Sequence, residues 1–176
     1  DIADPGRLMA TVLAFVSFCA LASAAYLVND ILDLEADRLH PRKRNRPFAA
    51  GTLQIRTGVV MAVALAVGGL AVSIALVSPL FTVMLGLYLV LTLLYSVYLK
   101  ERLFLDVLLL AALYTQRVLA GGVAAEVPIS PWLLAFSVFF FLSLAFVKRY
   151  VELLGAQRDE ESALARRAYR VEDLGL

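Results

Sequence analysis

The sequence predicts an all-α, multi-pass transmembrane helical bundle, and three observations predict it. Of 176 residues, 61% are hydrophobic and only 18% charged, against about 45–50% and about 25% in a soluble domain; mean hydropathy is +0.82. The apolar residues fall into five runs, each near the roughly 20 residues a bilayer-crossing helix needs. The basic residues between those runs are sorted to one side.

The five runs are Met9–Val28, Val59–Val77, Leu80–Leu99, Phe104–Ala125 and Pro131–Val147. None alternates polar with apolar along its length, which argues against barrel strands. Ser78-Pro79 joins the second and third runs and predicts a tight helical hairpin. Pro128 and Pro131 punctuate the turn before the fifth. Arg38, Arg42, Lys43, Arg44, Arg46 and Arg56 lie between runs one and two. Lys100 and Arg102 lie between runs three and four, and Lys148, Arg149, Arg158, Arg166, Arg167 and Arg170 follow run five. If each run crosses once, all of these share one side and only Arg7 faces the other. That asymmetry predicts a cell-membrane protein with the basic face in the cytoplasm. A soluble bundle has no reason to sort its charges in this way. The segment from Arg158 to Arg170 predicts a charged helix at the same surface.

The chain starts at Asp1 with no signal-like segment before the first run, and it stops in charged sequence. It is expected to be a single membrane domain, residues 1–176, cut from a longer protein. Cys19 is the only cysteine. It predicts a small packing or lipid-facing residue and says nothing about compartment.

The first run enters Asn29-Asp30-Ile31-Leu32-Asp33-Leu34-Glu35-Ala36-Asp37. On a helix of 3.6 residues per turn, Asn29, Asp30, Asp33 and Asp37 fall on one face, and Glu35 points elsewhere. Like charges so placed repel, and near a bilayer each is costly. A hard divalent cation offsets both; Mg²⁺ takes one or two protein carboxylates and completes its shell with water and phosphate oxygens. The bland alternative is a solvated helix end. A cationic loop follows, His40-Pro41-Arg42-Lys43-Arg44-Asn45-Arg46-Pro47-Phe48-Ala49-Ala50-Gly51. It reads either as an anchor to anionic headgroups or as a phosphate cradle of arginine forks and a lysine point charge. Acids for a metal beside cations for phosphate oxygens predict a diphosphate site. His40 reads as a hydrogen-bonding loop residue rather than a general base.

These residues carry a resemblance. Asn29-Asp30-x-x-Asp33-x-x-x-Asp37 with the following KR-x-RP-x-A-x-G stretch resembles the first aspartate motif of the UbiA superfamily of intramembrane prenyltransferases. Tyr95-x-x-x-x-Lys100 is similar to a further motif of that superfamily. The resemblance covers nearly the whole chain and implies about nine spanning helices in the complete fold, of which this chain would hold the second to the sixth. Where aromatic prenyltransferases of the superfamily carry a second DxxxD motif, this chain reads Lys148-Arg149-Tyr150-Val151-Glu152-Leu153. That sequence, and Arg117-x-x-Ala120-Gly121-Gly122, resemble the branch that makes decaprenylphosphoryl-5-phosphoribose. Similar membrane halves also occur behind a haloacid-dehalogenase-like phosphatase domain.

The resemblance implies an enzyme: a Mg²⁺-dependent transferase moving 5-phosphoribosyl from phosphoribosyl diphosphate to a polyprenyl phosphate. A lysine–arginine pair in place of acids suits a phosphate held without a second metal. Asp30, Asp33 and Asp37 would hold the metal, and Lys100 would balance leaving-group charge. Asn29, Lys43, Arg44, Arg46, Tyr95, Arg117, Lys148, Arg149, Tyr150 and Glu152 would bind substrate. Lys100 could instead be a snorkelling interfacial lysine, and Lys148 with Glu152 an internal salt bridge. Asp106 and Arg117, charged residues within a span, are functional-site expectations; eleven residues put them about 16 Å apart, too far to pair. The expected partners are lipid substrate and bilayer, with no nucleic acid. Two alternatives remain: prenyl transfer from a prenyl diphosphate to an aromatic or other acceptor, and a cation-coupled transporter. The transporter is disfavoured because the chain has no inverted repeat.

Overall fold

The computed structural model describes residues 4–100, 102 and 104–158. These form six helices: α1 (Pro5–Leu32), α2 (Leu34–Leu39), α3 (Ile55–Leu76), α4 (Pro79–Leu94), α5 (Leu105–Ala124) and α6 (Pro131–Arg158). A 3-10 turn, Lys43–Asn45, lies before α3, and a π-helical turn, Tyr95–Leu99, extends α4. No strand occurs among the described residues. Five segments are long and apolar enough to cross a membrane: Pro5–Leu32, Ile55–Leu76, Pro79–Leu99, Leu105–Ala124 and Pro131–Leu154. They correspond one for one to the five apolar runs. The charged segment beyond Arg158 lies outside the described residues.

Local chemistry explains where these helices start. Asp4 caps α1 by accepting the Gly6 N–H at 2.9 Å, and Pro5 takes the first helical position, where its missing N–H costs nothing. At 28 residues, α1 is about 42 Å long at 1.5 Å per residue. It therefore outruns the roughly 30 Å hydrocarbon layer, and its last turn carries Asn29 and Asp30 to the basic end. Between α3 and α4, Ser78 accepts the Phe81 N–H at 3.1 Å. Ser73 Oγ and Thr82 Oγ1 are bonded at 2.9 Å across the same hairpin. The predicted Ser78-Pro79 turn is thus closed by side chains that also satisfy its buried hydroxyls.

The centre of the bundle is where α1, α4 and α5 meet. Ala14, Leu21, Phe81, Leu85, Ala120 and Ala124 form its buried cluster. α3 lies along α1, close enough that a Cβ added at Gly69 would sit 2.5 Å from Leu21 Cδ1 and 3.1 Å from the Ser17 carbonyl oxygen. α6 packs on α5 through Val107, Ala145 and Leu153, and among the described elements it neighbours only α5. Much of the outer surface is apolar, with Phe15, Trp132 and Phe139 exposed, as a lipid-facing wall requires. The result brings the ends of α1, α4 and α6 and the start of α5 to one end of the bundle.

A candidate active site at the basic end

The acidic helix end does not stay one straight face. α1 ends at Leu32, Asp33 adopts φ −90° and ψ 5°, and α2 resumes at Leu34. Asp30 and Asp37, seven residues apart, are nearly eclipsed, whereas Asp33 lies about 60° round the helix from Asp30. The carboxylates divide accordingly. Arg46, arriving on the far side of the loop, places one guanidinium nitrogen 3.0 Å from Asp30 Oδ1 and 2.8 Å from Asp37 Oδ2. Both oxygens thus converge on one point, and Asp37 is buried there. Asp33 turns aside: Asn29 Nδ2 donates to its Oδ2 at 3.2 Å, and Lys100 Nζ donates to its Oδ1. The expected set of three metal-binding carboxylates is therefore two plus one. Among the described residues no three His, Cys, Asp or Glu side chains stand close enough together to ligate one ion.

The cationic loop is held by its own chemistry. His40 Nδ1 accepts the backbone N–H groups of Arg42 at 3.1 Å and Lys43 at 3.3 Å. The only histidine is a turn-forming residue, as its place between charged loop residues suggested. Phe48 is buried, its ring lying where a Cβ on Gly58 would come within 2.3 Å; Gly58 leaves room for this ring, which pins the loop to α3. Lys43 is half-buried, Arg44 is exposed and Arg46 faces the acids. The Gly51 φ of 75° turns the chain back toward α3.

Lys100 reaches Asp33 from the π turn. Its N–H donates to the Tyr95 carbonyl at 3.0 Å, a five-residue step, and its side chain is largely buried. This is an ion pair at the site rather than a lysine snorkelling to bulk water. Tyr95 stands at the head of the same turn.

On α6, Arg149 of the pair expected to bind substrate lies among acids. Arg149 is only 4% exposed and Asp106 is fully buried. The Arg149 guanidinium donates to Asp106 Oδ2, at the start of α5, and at 2.5 Å to Glu152 Oε2. Asp106 Oδ1 accepts the Val107 N–H at 2.7 Å. Lys148 and Tyr150 lie on the exposed side of α6. Arg117 stands apart. It is eleven residues from Asp106 along α5, or about 16 Å, and so away from the acidic end. Its guanidinium lies 5.0 Å from the Tyr114 ring centroid, 5.2 Å from Tyr88 and 5.8 Å from Phe18, and it donates to the Tyr88 hydroxyl at 2.7 Å. Among the described residues no carboxylate is paired with it; aromatic faces offset part of its charge instead. Asp106 as the partner of Arg149 is the contact that sequence reasoning missed, although both residues drew notice singly.

A profile of the UbiA prenyltransferase family matches residues 2–166. The chain belongs to this family. Among its relatives, nodulation protein NoeC of Azorhizobium caulinodans is 41% identical over 92% of this chain and 52% of its own length. The decaprenyl-phosphate phosphoribosyltransferase of Mycolicibacterium smegmatis is 43% identical over 83% of this chain and 46% of its own length. Protoheme IX farnesyltransferase of Colwellia psychrerythraea is more distant, at 31% over 65% of this chain and 34% of its own length. The chain thus spans about half, or less, of the length of these relatives. UbiA membership accounts for the helical, multi-pass architecture.

The donor set at that end fits a hard divalent cation. Asp30 and Asp37 offer two carboxylate oxygens aimed at one point, and that point already holds a positive group, the Arg46 guanidinium. Two protein carboxylates are what Mg²⁺ commonly takes, leaving the other positions to water and phosphate.

Proposed function

We propose that the complete protein is a Mg²⁺-dependent integral-membrane transferase that moves 5-phosphoribosyl from phosphoribosyl diphosphate to a polyprenyl phosphate. The observation that carries this reading is the 43% identity to a decaprenyl-phosphate phosphoribosyltransferase, shared by a chain whose acidic and cationic groups meet at one end. The sorted basic residues support a cell-membrane location with the site facing the cytoplasm.

Asp30 and Asp37 would hold Mg²⁺, which when bound there neutralises diphosphate charge as the leaving group departs. Asp33, fixed by Asn29, completes the acidic wall and keeps Lys100 at the site. Lys100 supplies a positive charge to the departing diphosphate. Lys43, Arg44 and Arg46 bind phosphate oxygens from the loop, and Lys148 and Tyr150 offer contacts from α6. A polyprenyl phosphate oxygen attacks C1 of the ribose, the C1–O bond to diphosphate breaks, and diphosphate leaves with the bonding electrons.

The second reading is prenyl transfer from a prenyl diphosphate, favoured by the 31% identity to a farnesyltransferase. One assay separates the two. The full-length protein in liposomes with Mg²⁺ is given radiolabelled phosphoribosyl diphosphate and polyprenyl phosphate, or labelled prenyl diphosphate and 4-hydroxybenzoate. Label entering lipid from the first pair, and lost in Asp37→Ala, supports phosphoribosyl transfer. Label moving only in the second pair replaces that reading with prenyl transfer.

A further inference from the structure

The loop after α1 carries its cations on two faces. Arg46 points inward, with one guanidinium nitrogen between Asp30 and Asp37. Arg38 at the end of α2, Arg42 in the loop and Arg56 in the first turn of α3 are exposed. Among the described residues none of these three pairs with a carboxylate. Glu35, the exposed acid nearest to them in sequence, leaves the group net positive. Arg44, also exposed, belongs to the phosphate site proposed above.

Leu39 lies among these arginines and is 84% exposed. It follows Arg38 directly, and His40, next along, folds Arg42 back by accepting its backbone N–H. A lone exposed leucine is ordinary on a surface, but the place of this one gives it meaning. Exposed Leu32 at the end of α1, and exposed Ile55, Val59 and Val60 at the start of α3, form the last stretch of the lipid-facing wall. The two helix ends are level, since a Cβ on Gly58 would sit 3.4 Å from Ile31 Cδ1. Arg56 stands inside that stretch, directly after Ile55, and Phe48 over Gly58 ties the loop to the same turn. The patch therefore borders the hydrocarbon, at the depth where headgroups lie. Cations that meet lipid phosphates beside an apolar side chain that enters the boundary are the pattern of a membrane-surface contact.

We infer that the outer face of this loop, formed by Arg38, Leu39, Arg42 and Arg56, is a docking surface for anionic phospholipid headgroups, with Leu39 dipping into the headgroup–acyl boundary. A soluble polyanion would meet the same charge but give Leu39 no apolar place to go. Arginine suits the task because its planar fork spans two phosphate oxygens, while its methylene stem covers apolar surface. The loop is then seated from both sides: the inward guanidinium holds the acids of the site, and the outward ones hold the membrane. The inference is independent of which group the enzyme transfers.

The test uses the full-length protein with its native cysteines, Cys19 included, changed to serine. Leu39→Cys carries an environment-sensitive fluorophore. The protein is placed in vesicles of phosphatidylcholine, or of phosphatidylcholine mixed with phosphatidylglycerol, each with some lipid brominated high on the acyl chain. Quenching should be stronger in the anionic vesicles. It should fall to the neutral-lipid level in about 1 M salt, where the screening length is about 3 Å, and in the triple variant Arg38→Gln, Arg42→Gln, Arg56→Gln. Equal quenching in both lipids would overturn the inference. So would a label that no brominated lipid reaches, which would give Leu39 to water or to a part of the protein beyond this chain. A second reading leaves Leu39 native: enrichment of spin-labelled phosphatidylglycerol over phosphatidylcholine at the protein surface should drop about twofold or more in the triple variant, and an unchanged enrichment counts against the surface. In detergent without anionic lipid the triple variant should keep its transfer activity. Loss there would move these arginines to the substrate and end the lipid reading.

Discussion

Asp33 and Lys100 are 67 residues apart in the chain, yet their side chains meet where α1 and the π turn both end. Lys100→Met should remove most transfer activity while the protein still assembles. Lys100→Arg should restore only part of it, since a planar fork does not reproduce a compact ammonium; initial rates on the full-length enzyme decide this. Arg117 should behave in the opposite way. It lies in a ring of aromatic side chains, away from the acids, and its Nε has no hydrogen-bond partner among the described residues. Arg117→Met keeps the volume and removes a charge that is costly within a membrane. The expected outcome is unchanged or raised thermal stability with transfer retained. A selective loss of transfer would assign Arg117 to substrate after all. The residue types at the acidic end were legible in the sequence: three aspartates at helical spacing, then clustered cations. Their partners were not. Which of Asp30, Asp33 and Asp37 meets Arg46 and which meets Lys100 depends on a rotation of about 60° round the helix and on how α4 sits beside α1. No local pattern encodes either.

At the level of helices, hydropathy and the proline-marked turns located all five spans, because each is a long apolar run with punctuation at its ends. The break at Asp33 was not legible, since neither proline nor glycine marks it. The π turn at Tyr95–Leu99 likewise has no signature in an apolar stretch. Glycines give the helix contacts a sharp test. Gly68 and Gly69 are adjacent on α3, but a Cβ on Gly68 meets nothing within 4 Å, whereas one on Gly69 meets α1. Gly68→Ala should be neutral or stabilising by up to about 1 kcal/mol. Gly69→Leu should destabilise by about 1–3 kcal/mol through overpacking against Leu21 and the Ser17 backbone. Thermal unfolding of the two variants in detergent, followed side by side, checks this.

For the whole molecule, charge sorting was the most informative sequence signal, because it identified one end of the bundle before any contact was known. The pairs Arg46–Asp30, Lys100–Asp33 and Arg149–Asp106 all lie at that end. The third was hidden because a lysine–arginine pair beside a membrane surface looks the same whether it faces water or a buried acid 43 residues earlier. The bridge from Arg46 to two aspartates has one more consequence. The chain brings its own counter-charge to the acidic pair, so the helices can assemble in lipid before any ion arrives. If Asp30 and Asp37 take Mg²⁺ as proposed, loading is an exchange of one cation for another at a finished site, not a folding step. Stripping divalent ions with a chelator should therefore stop transfer completely while leaving the unfolding temperature where it was. A protein that loses both together would be one whose metal holds it folded.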